Sequence, residues 1–220
     1  MTAHENRETL DWRDGVPVSR AFDDPYFSLQ DGLAETQHVF LSGNDLPARF
    51  RAGFHVAELG FGTGLNCAAT LLAWRAAGVP GPLTYTSFEA FPLTPDAMAR
   101  ALAAFPALGS AAAEIVEAAA ASGPSDLRLT VVEGDARDAL PSWDGQADAW
   151  FLDGFAPARN PGLWTPELLC EVARHTVRGG TFATYTAAGQ VRRDLAAAGF
   201  AVERVPGFGR KRHMTRGRLP

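Results

Sequence analysis

The sequence predicts an α/β domain built on a mostly parallel sheet. From residue 54 onward, short runs of β-branched and aromatic residues alternate with segments rich in alanine and leucine, as in a parallel sheet with crossover helices. Several of the short runs end in an acidic residue. With 220 residues, 46% of them hydrophobic, the chain is long enough to bury one substantial core.

Seven strands and four helical segments are predicted from this alternation. The first five strands cover residues 54–59, 83–89, 127–133, 147–152 and 181–186. Residues 200–205 and 213–219 are predicted to form a terminal antiparallel hairpin. The helical segments cover residues 67–77, 95–122 with a break at 106–109, 166–177 and 189–198. Residues 1–50 lack the alternation, and we expect an N-terminal extension of short strands and a hairpin, packed on the main domain of residues 51–220.

Three glycines at alternate positions follow the first predicted strand, in Glu58-Leu59-Gly60-Phe61-Gly62-Thr63-Gly64-Leu65-Asn66. Such a turn lets the backbone approach a ligand closely. The dinucleotide fingerprint needs a third glycine where Leu65 stands, and the phosphate loop needs a lysine that is missing here. An acid followed by G-x-G-x-G is instead typical of S-adenosylmethionine-dependent methyltransferases, so the predicted fold is Rossmann-like. A structural corner without a ligand is the alternative.

Four acidic residues are predicted at the carboxyl ends of strands, where open α/β sheets bind ligands. Glu58 would hold the glycine turn or the methionine ammonium group, Glu89 the ribose hydroxyls, and Asp135 the adenine amino group. One such acid is more often a loop or capping residue, but four beside a glycine turn favour a site. The predicted donor-binding residues are Glu58, Gly60, Phe61, Gly62, Thr63, Gly64, Asn66, Glu89, Gly134 and Asp135.

The fourth acid, Asp153, lies where a methyl acceptor is expected. Asn160-Pro161 nearby is similar to the Asn/Asp-Pro-Pro-Tyr/Phe site of amino-methylating nucleic-acid enzymes, but here Asp-Gly-Phe occupies the strand end. A carboxylate suits an amine acceptor, because it attracts the cation, accepts its proton and orients the lone pair. Phe155 and Tyr26 are candidates for stacking on a base, whereas core packing is the favoured interpretation for Trp164.

The charge distribution is asymmetric. The net charge is −5, yet residues 192–220 carry eight basic residues against two acidic ones. A basic end on an acidic body indicates a polyanionic partner, and a solvated basic terminus is the alternative.

These strings together resemble the methyltransferase domain of the MnmC family, which acts on tRNA 5-methylaminomethyl-2-thiouridine. The two most specific are Asp153-Gly154-Phe155-Ala156-Pro157 with Asn160-Pro161 and Trp164, and Gly207-Phe208-Gly209-Arg210-Lys211-Arg212. The resemblance implies that S-adenosylmethionine methylates the amine of 5-aminomethyl-2-thiouridine at the tRNA wobble position, with Asp153 as the catalytic residue. The residues expected to contact acceptor or tRNA are Tyr26, Phe27, Glu35, Asn44, Phe155, Arg192, Arg193, Arg210, Lys211 and Arg212.

Many members of the MnmC family carry a flavin-dependent oxidase domain that prepares the amine. The resemblance therefore implies either a stand-alone version, supplied with substrate by upstream enzymes, or a piece of a longer protein. Three other functions stay open. They are an aminopropyltransferase acting on a polyamine, a nicotinamide-dependent oxidoreductase, which the glycine spacing disfavours, and a non-catalytic RNA-binding module.

No metal site, membrane segment or disulfide is predicted. The five histidines have no ligand spacing, and no apolar run approaches the length that crosses a bilayer. Cys67 and Cys170 are expected to be buried thiols in predicted helices. A polar N-terminus without a signal peptide favours a cytoplasmic protein.

Overall fold

The structure is a computed structural model, which describes residues 10–28, 31–121 and 123–220. Its strands form one small and one large sheet. The small antiparallel sheet contains β1 (Leu10–Arg13), β2 (Val16–Ser19) and β3 (Asp24–Pro25). The large sheet has seven strands, β4 (His55–Leu59), β5 (Leu83–Glu89), β6 (Leu127–Glu133), β7 (Ala147–Leu152), β8 (Thr176–Thr184), β9 (Ala201–Pro206) and β10 (His213–Arg218).

Helices connect these strands and cover the faces of the large sheet. They are α1 (Gly32–Thr36), α2 (Leu65–Ala77), α3 (Pro95–Leu102), α4 (Ala111–Ala120), α5 (Ala136–Ala139), α6 (Pro166–Arg174) and α7 (Gly189–Ala197). A π-helical turn, Gln37–Leu41, and a 3₁₀ turn, Ser42–Asn44, continue α1. Helices α3 and α6 begin in the same way, with a threonine cap, Thr94 or Thr165, followed by a proline. The threonine hydroxyl accepts a hydrogen bond from a backbone N–H of the first turn.

The strand order of the large sheet is β6-β5-β4-β7-β8-β10-β9. Strands β4 to β8 pair in parallel, and β10 pairs antiparallel with both β8 and β9. The chain moves outward from β4 to β5 and β6, and then returns to place β7 on the other side of β4. This reversal creates a crevice beyond the carboxyl ends of β4 and β7, where open α/β sheets bind ligands.

Two hydrophobic clusters cover the two faces of the large sheet. One joins Val56 and Phe151 with Leu71 of α2, and it also contains Phe27 and Phe40 from the N-terminal part of the chain. The other joins Trp150 and Leu152 with residues of α6 and α7. Residues 10–28 and 31–50 therefore share a core with the large sheet.

The predicted Rossmann-like fold and its mostly parallel seven-stranded sheet are confirmed, but three local predictions are wrong. Residues 32–44 are helical, because Asp31 caps α1 with its side chain, whereas strands were expected there. The fifth parallel strand begins at Thr176, and Gly179-Gly180 lies within it rather than ending a helix. A Cβ on Gly180 would approach the carbonyl oxygens of Val177 and Ala147, so a close backbone contact requires glycine there.

The third error concerns the cysteines. Cys67 is buried as expected, but Cys170 is exposed, because it lies on the outer face of the amphipathic helix α6. Across the described ranges, no helix is long and apolar enough to cross a membrane. The same residues contain no group of three or more His, Cys, Asp or Glu side chains that could hold a metal ion.

Candidate active site

A cavity of about 1050 Å³ opens at the carboxyl ends of β4, β5, β7 and β8. Residues 22–28 and helix α1 form one wall, and residues 208–211, between β9 and β10, form part of the mouth. The volume is that of a site for a ligand as large as a nucleoside cofactor together with a second, smaller group.

The glycine turn forms the floor of the cavity. Gly60 has a φ of +89°, and its N–H donates to the carbonyl oxygen of Phe88 at 2.9 Å. A Cβ on Gly60 would overlap the carbonyl oxygen of Asp153. Gly62 has a φ of +52° and packs against the ring of Tyr26. Both positions therefore require glycine, because an added Cβ would meet other parts of the protein and the positive φ disfavours other residues.

Gly64 does not line the cavity, although it was predicted to bind the donor. It has a φ of +80° where α2 begins, and a Cβ there would overlap Ile115 and crowd Met98. Its role is to let α2 pack against α3 and α4. Phe61 and Thr63, by contrast, do line the cavity.

Glu89 and Asp135 lie at the carboxyl side of neighbouring strands, and both line the cavity. The Glu89 carboxylate accepts from the N–H of Gly62 at 2.9 Å and from the N–H of Phe91 at 2.8 Å. Asp135 caps α5, accepting from the N–H of Arg137 at 2.9 Å, and hydrogen bonds from the Arg137 guanidinium lower the pKa of Asp135. Gly134 lies behind them and donates to the carbonyl oxygen of Glu89 at 2.9 Å without lining the cavity.

Asp153 follows β7 directly and faces the cavity. Its Oδ2 accepts a hydrogen bond from Asn66 Nδ2 at 2.6 Å. Burial raises the pKa of Asp153 to about 7, and Glu35 adds to the rise, while the hydrogen bond from Asn66 and the charge of Lys211 oppose it. A carboxyl group with this pKa can exchange a proton at neutral pH.

Glu58 does not contact the cavity, so the prediction that it binds the donor is wrong. The side chain is fully buried, accepting from Asn66 Nδ2 at 2.9 Å and from Ser87 Oγ at 2.9 Å. The register pairs Glu58 with Ser87, two residues before Glu89, so Glu58 lies below the edge where ligands bind. Its alternative predicted role, holding the glycine turn, agrees with this position. Burial raises the pKa of Glu58 well above its ordinary value.

A cation-binding arrangement lies beside Asp153. The ammonium group of Lys211 is 2.8 Å from Glu35 Oε1 and 4.0 Å from the centre of the Tyr185 ring. The hydroxyl of Tyr185 donates to the carbonyl oxygen of Gly154 at 2.8 Å, and burial raises the pKa of Tyr185, so it stays neutral. The ammonium group of Lys211 therefore already occupies the Glu35 carboxylate and the Tyr185 ring face, beside the Asp153 carboxyl group.

Aromatic side chains line the part of the cavity that is formed by residues 22–28 and Phe155. Phe155 stacks on Phe22, with ring centroids 4.8 Å apart, and meets the edge of Tyr26 at 5.1 Å. Phe27 also lines the cavity and packs against Phe105. Trp164 is buried, and its indole N–H donates to the carbonyl oxygen of Phe155 at 2.9 Å. The core position expected for Trp164 is confirmed.

Several predicted acceptor or tRNA residues lie elsewhere. Asn44 is fully buried and joins the N-terminal helical segment to the sheet, through the carbonyl oxygens of Phe40 and Trp150 and the hydroxyl of Thr181. The prediction that Asn44 contacts substrate is therefore wrong. Arg210 and Lys211 line the cavity, whereas Arg192, Arg193 and Arg212 do not.

Other lining residues were not predicted from the sequence. They include Phe22, Asp24, Thr36, Arg137, Tyr185 and Phe208. Tyr185 comes directly after a parallel strand, so the strand-end argument that selected the four acids would also have selected it. Thr36 and Phe22 lie in the extension, where sequence patterns indicate no ligand.

The cavity fits S-adenosylmethionine in shape and charge. Gly60 and Gly62 present bare backbone to the cavity as a cradle, and the Glu89 and Asp135 carboxylates can accept hydrogen bonds from hydroxyl and amino groups. The basic residues that line it, Arg137, Arg210 and Lys211, lie outside the glycine turn, so the cradle suits a sulfonium rather than a phosphate. Fold and site together define a Rossmann-like methyltransferase.

The comparisons with known proteins agree with this class. A family model described as S-adenosyl-L-methionine-dependent methyltransferase matches residues 103–220, and the chain belongs to that family. The tRNA 5-methylaminomethyl-2-thiouridine biosynthesis bifunctional protein MnmC of Stutzerimonas stutzeri is 48% identical over 96% of this chain, and that of Caulobacter sp. strain K31 is 50% identical over 92%. The predicted resemblance to MnmC is confirmed.

The alignments cover 34% and 37% of those two relatives, so the chain spans about a third of their length. A crystal structure of MNMC2 from Aquifex aeolicus superposes with a TM-score of 0.79 at 25% identity, covering 99% of this chain and 72% of that one. Because this superposition covers nearly the whole chain, the structural similarity includes the N-terminal extension as well as the large sheet.

Proposed function

We propose that this protein transfers a methyl group from S-adenosylmethionine to the amine of 5-aminomethyl-2-thiouridine at the tRNA wobble position. The observation that carries the proposal is Asp153, a carboxyl group with a pKa of about 7 at the bottom of an acidic and aromatic cavity. The relatives named MnmC support the same substrate. A tRNA substrate supports the prediction that the protein acts in the cytoplasm.

The chemistry requires a neutral amine, and free primary amines are mostly protonated at neutral pH. Asp153 attracts the ammonium form and takes one proton from it, which leaves the nitrogen lone pair free and the carboxyl group neutral. When bound, S-adenosylmethionine would supply the electrophilic methyl carbon of its sulfonium, the neutral thioether would be the leaving group, and the positive charge would pass to the methylated amine. Asp153 then returns its proton to solvent, which prepares it for the next amine.

The aromatic wall supports a base as the acceptor. Tyr26 and Phe155 present ring faces and edges within the same cavity as Asp153, and a splayed-out wobble base can stack on such side chains. The Asp153 carboxylate would hold the charged aminomethyl arm before its proton is lost, because Lys211 already occupies Glu35 and the Tyr185 ring.

The turn between β9 and β10 supports contact with the tRNA backbone. Arg210 and Arg212 are exposed there, and neither forms an ion pair with any residue that the structure describes. Lys211, between them, forms an ion pair with Glu35. We therefore propose that Lys211 acts within the cavity and does not contact tRNA phosphates. Arg193 hydrogen-bonds to Gln190 on α7, and we assign it and Arg192 no direct role.

One observation also favours a polyamine acceptor, as in an aminopropyltransferase. The ammonium group of Lys211 lies against Glu35 and the Tyr185 ring, close to Asp153, so the surroundings of Asp153 suit a primary ammonium group. The exposed arginines at the mouth disfavour it, since a polyamine carries positive charge throughout its length.

The deciding experiment measures transfer of labelled methyl groups from S-adenosylmethionine to tRNA from cells that lack this modification. Nucleoside mass spectrometry should identify 5-methylaminomethyl-2-thiouridine as the product, and Asp153→Ala should abolish it while retaining donor binding. Near-normal turnover by Asp153→Ala would refute the role of Asp153. Transfer to polyamines alone would replace the proposed acceptor. A protein that neither binds the donor nor transfers methyl groups would be left as an RNA-binding module.

A further inference from the structure

Asn66 makes an unusual set of hydrogen bonds with its side-chain amide. Its Nδ2 donates to Asp153 Oδ2 at 2.6 Å and to Glu58 Oε1 at 2.9 Å, while its Oδ1 accepts from Thr36 Oγ1 at 2.8 Å. Each amide hydrogen thus has a carboxyl oxygen as partner, and the amide oxygen has a hydroxyl donor. The amide has no hydrogen left for a ligand, which argues against the prediction that Asn66 binds S-adenosylmethionine.

The partners of Asn66 are themselves held in place. Glu58 is fully buried on β4, and its second oxygen accepts from Ser87 Oγ on β5 at 2.9 Å. Thr36 is buried at the end of α1, and Asn66 itself is only 6% exposed in the first turn of α2. Two strands and two helices therefore fix the amide in one orientation.

The contact to Asp153 leaves one carboxyl oxygen for chemistry. Asp153 Oδ2 takes the hydrogen bond from Asn66, and Oδ1 accepts none from any described residue. Because the first oxygen is anchored, the second is held in a defined direction within the cavity that it lines. A general base works only when its free oxygen lies within hydrogen-bond reach of the proton it removes.

We propose that Asn66 is the positioning residue for Asp153, an amide that is anchored by Glu58 and Thr36 and aims the free oxygen of the carboxylate at the acceptor amine. The proposal rests on the proposed function for the identity of the acceptor, but the anchoring itself is a property of the folded chain. It assigns Asn66 to the acceptor side of the reaction rather than to donor binding.

The charges around Asp153 make the hydrogen bond from Asn66 important. Glu58 on β4 and Glu35 on α1 face Asp153, together with Tyr185 after β8 and Lys211 between β9 and β10. Burial and Glu35 raise the pKa of Asp153, while Asn66 and Lys211 lower it. Removing the amide should therefore favour the protonated carboxyl group, which cannot accept a proton from the amine.

The first test measures methyl transfer against pH at saturating donor and tRNA. Asn66→Leu keeps a side chain of similar size without the amide, and kcat should fall about tenfold or more at pH 7, the effect of one lost hydrogen bond to a charged group. The acid limb of the kcat profile should move to higher pH, while donor affinity by calorimetry stays within about threefold. Weakened donor binding with an unchanged kcat profile would overturn the proposal.

Matched controls come from two buried threonines. Thr36→Val removes the anchor of the amide oxygen and should move the acid limb in the same direction by a smaller amount. It also serves if Asn66→Leu fails to fold. Thr70 donates to the backbone oxygen of Asn66 at 2.6 Å, so Thr70→Val should leave the profile unchanged. Equal profiles for Thr36→Val and Thr70→Val would overturn the anchoring.

A second readout needs no methyl transfer and separates this proposal from the proposed function. Chemical unfolding of Asn66→Leu, Asp153→Asn and the double variant forms a double-mutant cycle. We expect the stabilisation by Asp153→Asn to be larger in the Asn66→Leu background, because the unanchored carboxyl group is harder to ionise. Additive effects across pH 5 to 9 would refute the coupling, even if tRNA is methylated as proposed.

Discussion

Gly60 and Asp153 are in backbone contact, and this contact joins the glycine turn to the loop that begins at Asp153. The N–H of Asp153 donates to the carbonyl oxygen of Leu59 at 3.1 Å, and a methyl group on Gly60 would overlap the carbonyl oxygen of Asp153. The floor of the proposed donor site and the proposed base therefore share one fixed geometry, so a change at the turn displaces both.

The first prediction follows from this contact. Gly60→Ala should weaken donor binding tenfold or more and lower the melting temperature, because it adds the overlap to the cost of a positive φ, which is about 1–2 kcal/mol. Gly78→Ala is the matched control, since Gly78 has a φ of +64° with no heavy atom within 4 Å of an added Cβ. Gly78→Ala should lower the melting temperature without weakening donor binding. Calorimetry and thermal unfolding distinguish the two, and normal donor affinity in Gly60→Ala would contradict the argument.

The second prediction concerns stability against pH. The pKa of Asp153 is raised from 3.8 to about 7 in the folded state. Between those values only the unfolded chain loses the proton, so the free energy of unfolding falls as pH rises through this window and changes no further above it. Asp153→Asn removes this loss of stability. The free energy of unfolding of the variant should therefore exceed that of the wild type by an amount that grows between about pH 4 and pH 7.

At neutral pH the free energy of unfolding of Asp153→Asn should exceed that of the wild type by on the order of 2 kcal/mol. This difference is smaller than the full pKa shift would give, because the side chain keeps some contact with solvent. Denaturant unfolding at several pH values measures it. Asp144→Asn, at an exposed carboxyl group, is the control and should show no comparable trend. A difference between Asp153→Asn and wild type that stays constant with pH would mean that Asp153 ionises normally.

The sequence predicts the parts of this site that local patterns mark, and it misses contacts between residues that lie far apart in the chain. Glu89, Asp135 and Asp153 were predicted because parallel strands end at one edge of the sheet, which local patterns reveal. Glu58 was misassigned, because only the register with Ser87 shows that it lies below that edge. The Asn44 side chain forms hydrogen bonds with Trp150 and Thr181, which lie more than 100 residues away in the chain. No local sequence pattern indicates such contacts.

The string Arg210-Lys211-Arg212 shows the same limit. Its composition predicts one basic patch, yet the fold divides it, with Lys211 paired to Glu35, 176 residues distant, and the arginines exposed. The helical structure of residues 32–44 was missed for a related reason. Its short π-helical and 3₁₀ turns are stabilised by packing on the sheet rather than by a repeating pattern.

The third prediction uses the two members of the Glu35–Lys211 ion pair. Lys211 lowers the pKa of Asp153 and Glu35 raises it, so neutralising each should move the acid limb of methyl transfer in opposite directions. Lys211→Met should move it to higher pH, and Glu35→Gln to lower pH. The measurement is kcat against pH at saturating tRNA, so that changes in tRNA affinity do not enter. Shifts in the same direction would show that the pair acts on the structure of the site and not through its charges.

The fourth prediction separates tRNA contact from general basic charge. Arg210 and Arg212 are exposed on the turn between β9 and β10, and Arg210 borders the cavity. Each phosphate contact that is lost should lower the slope of log affinity against log salt by about 0.7–0.9. The double variant Arg210→Glu with Arg212→Glu should therefore bind tRNA more weakly and with a flatter salt dependence. Arg128→Glu is the control, because Arg128 is an exposed arginine early in β6, away from the carboxyl edge. Equal salt slopes in all three proteins would show that tRNA does not approach this turn.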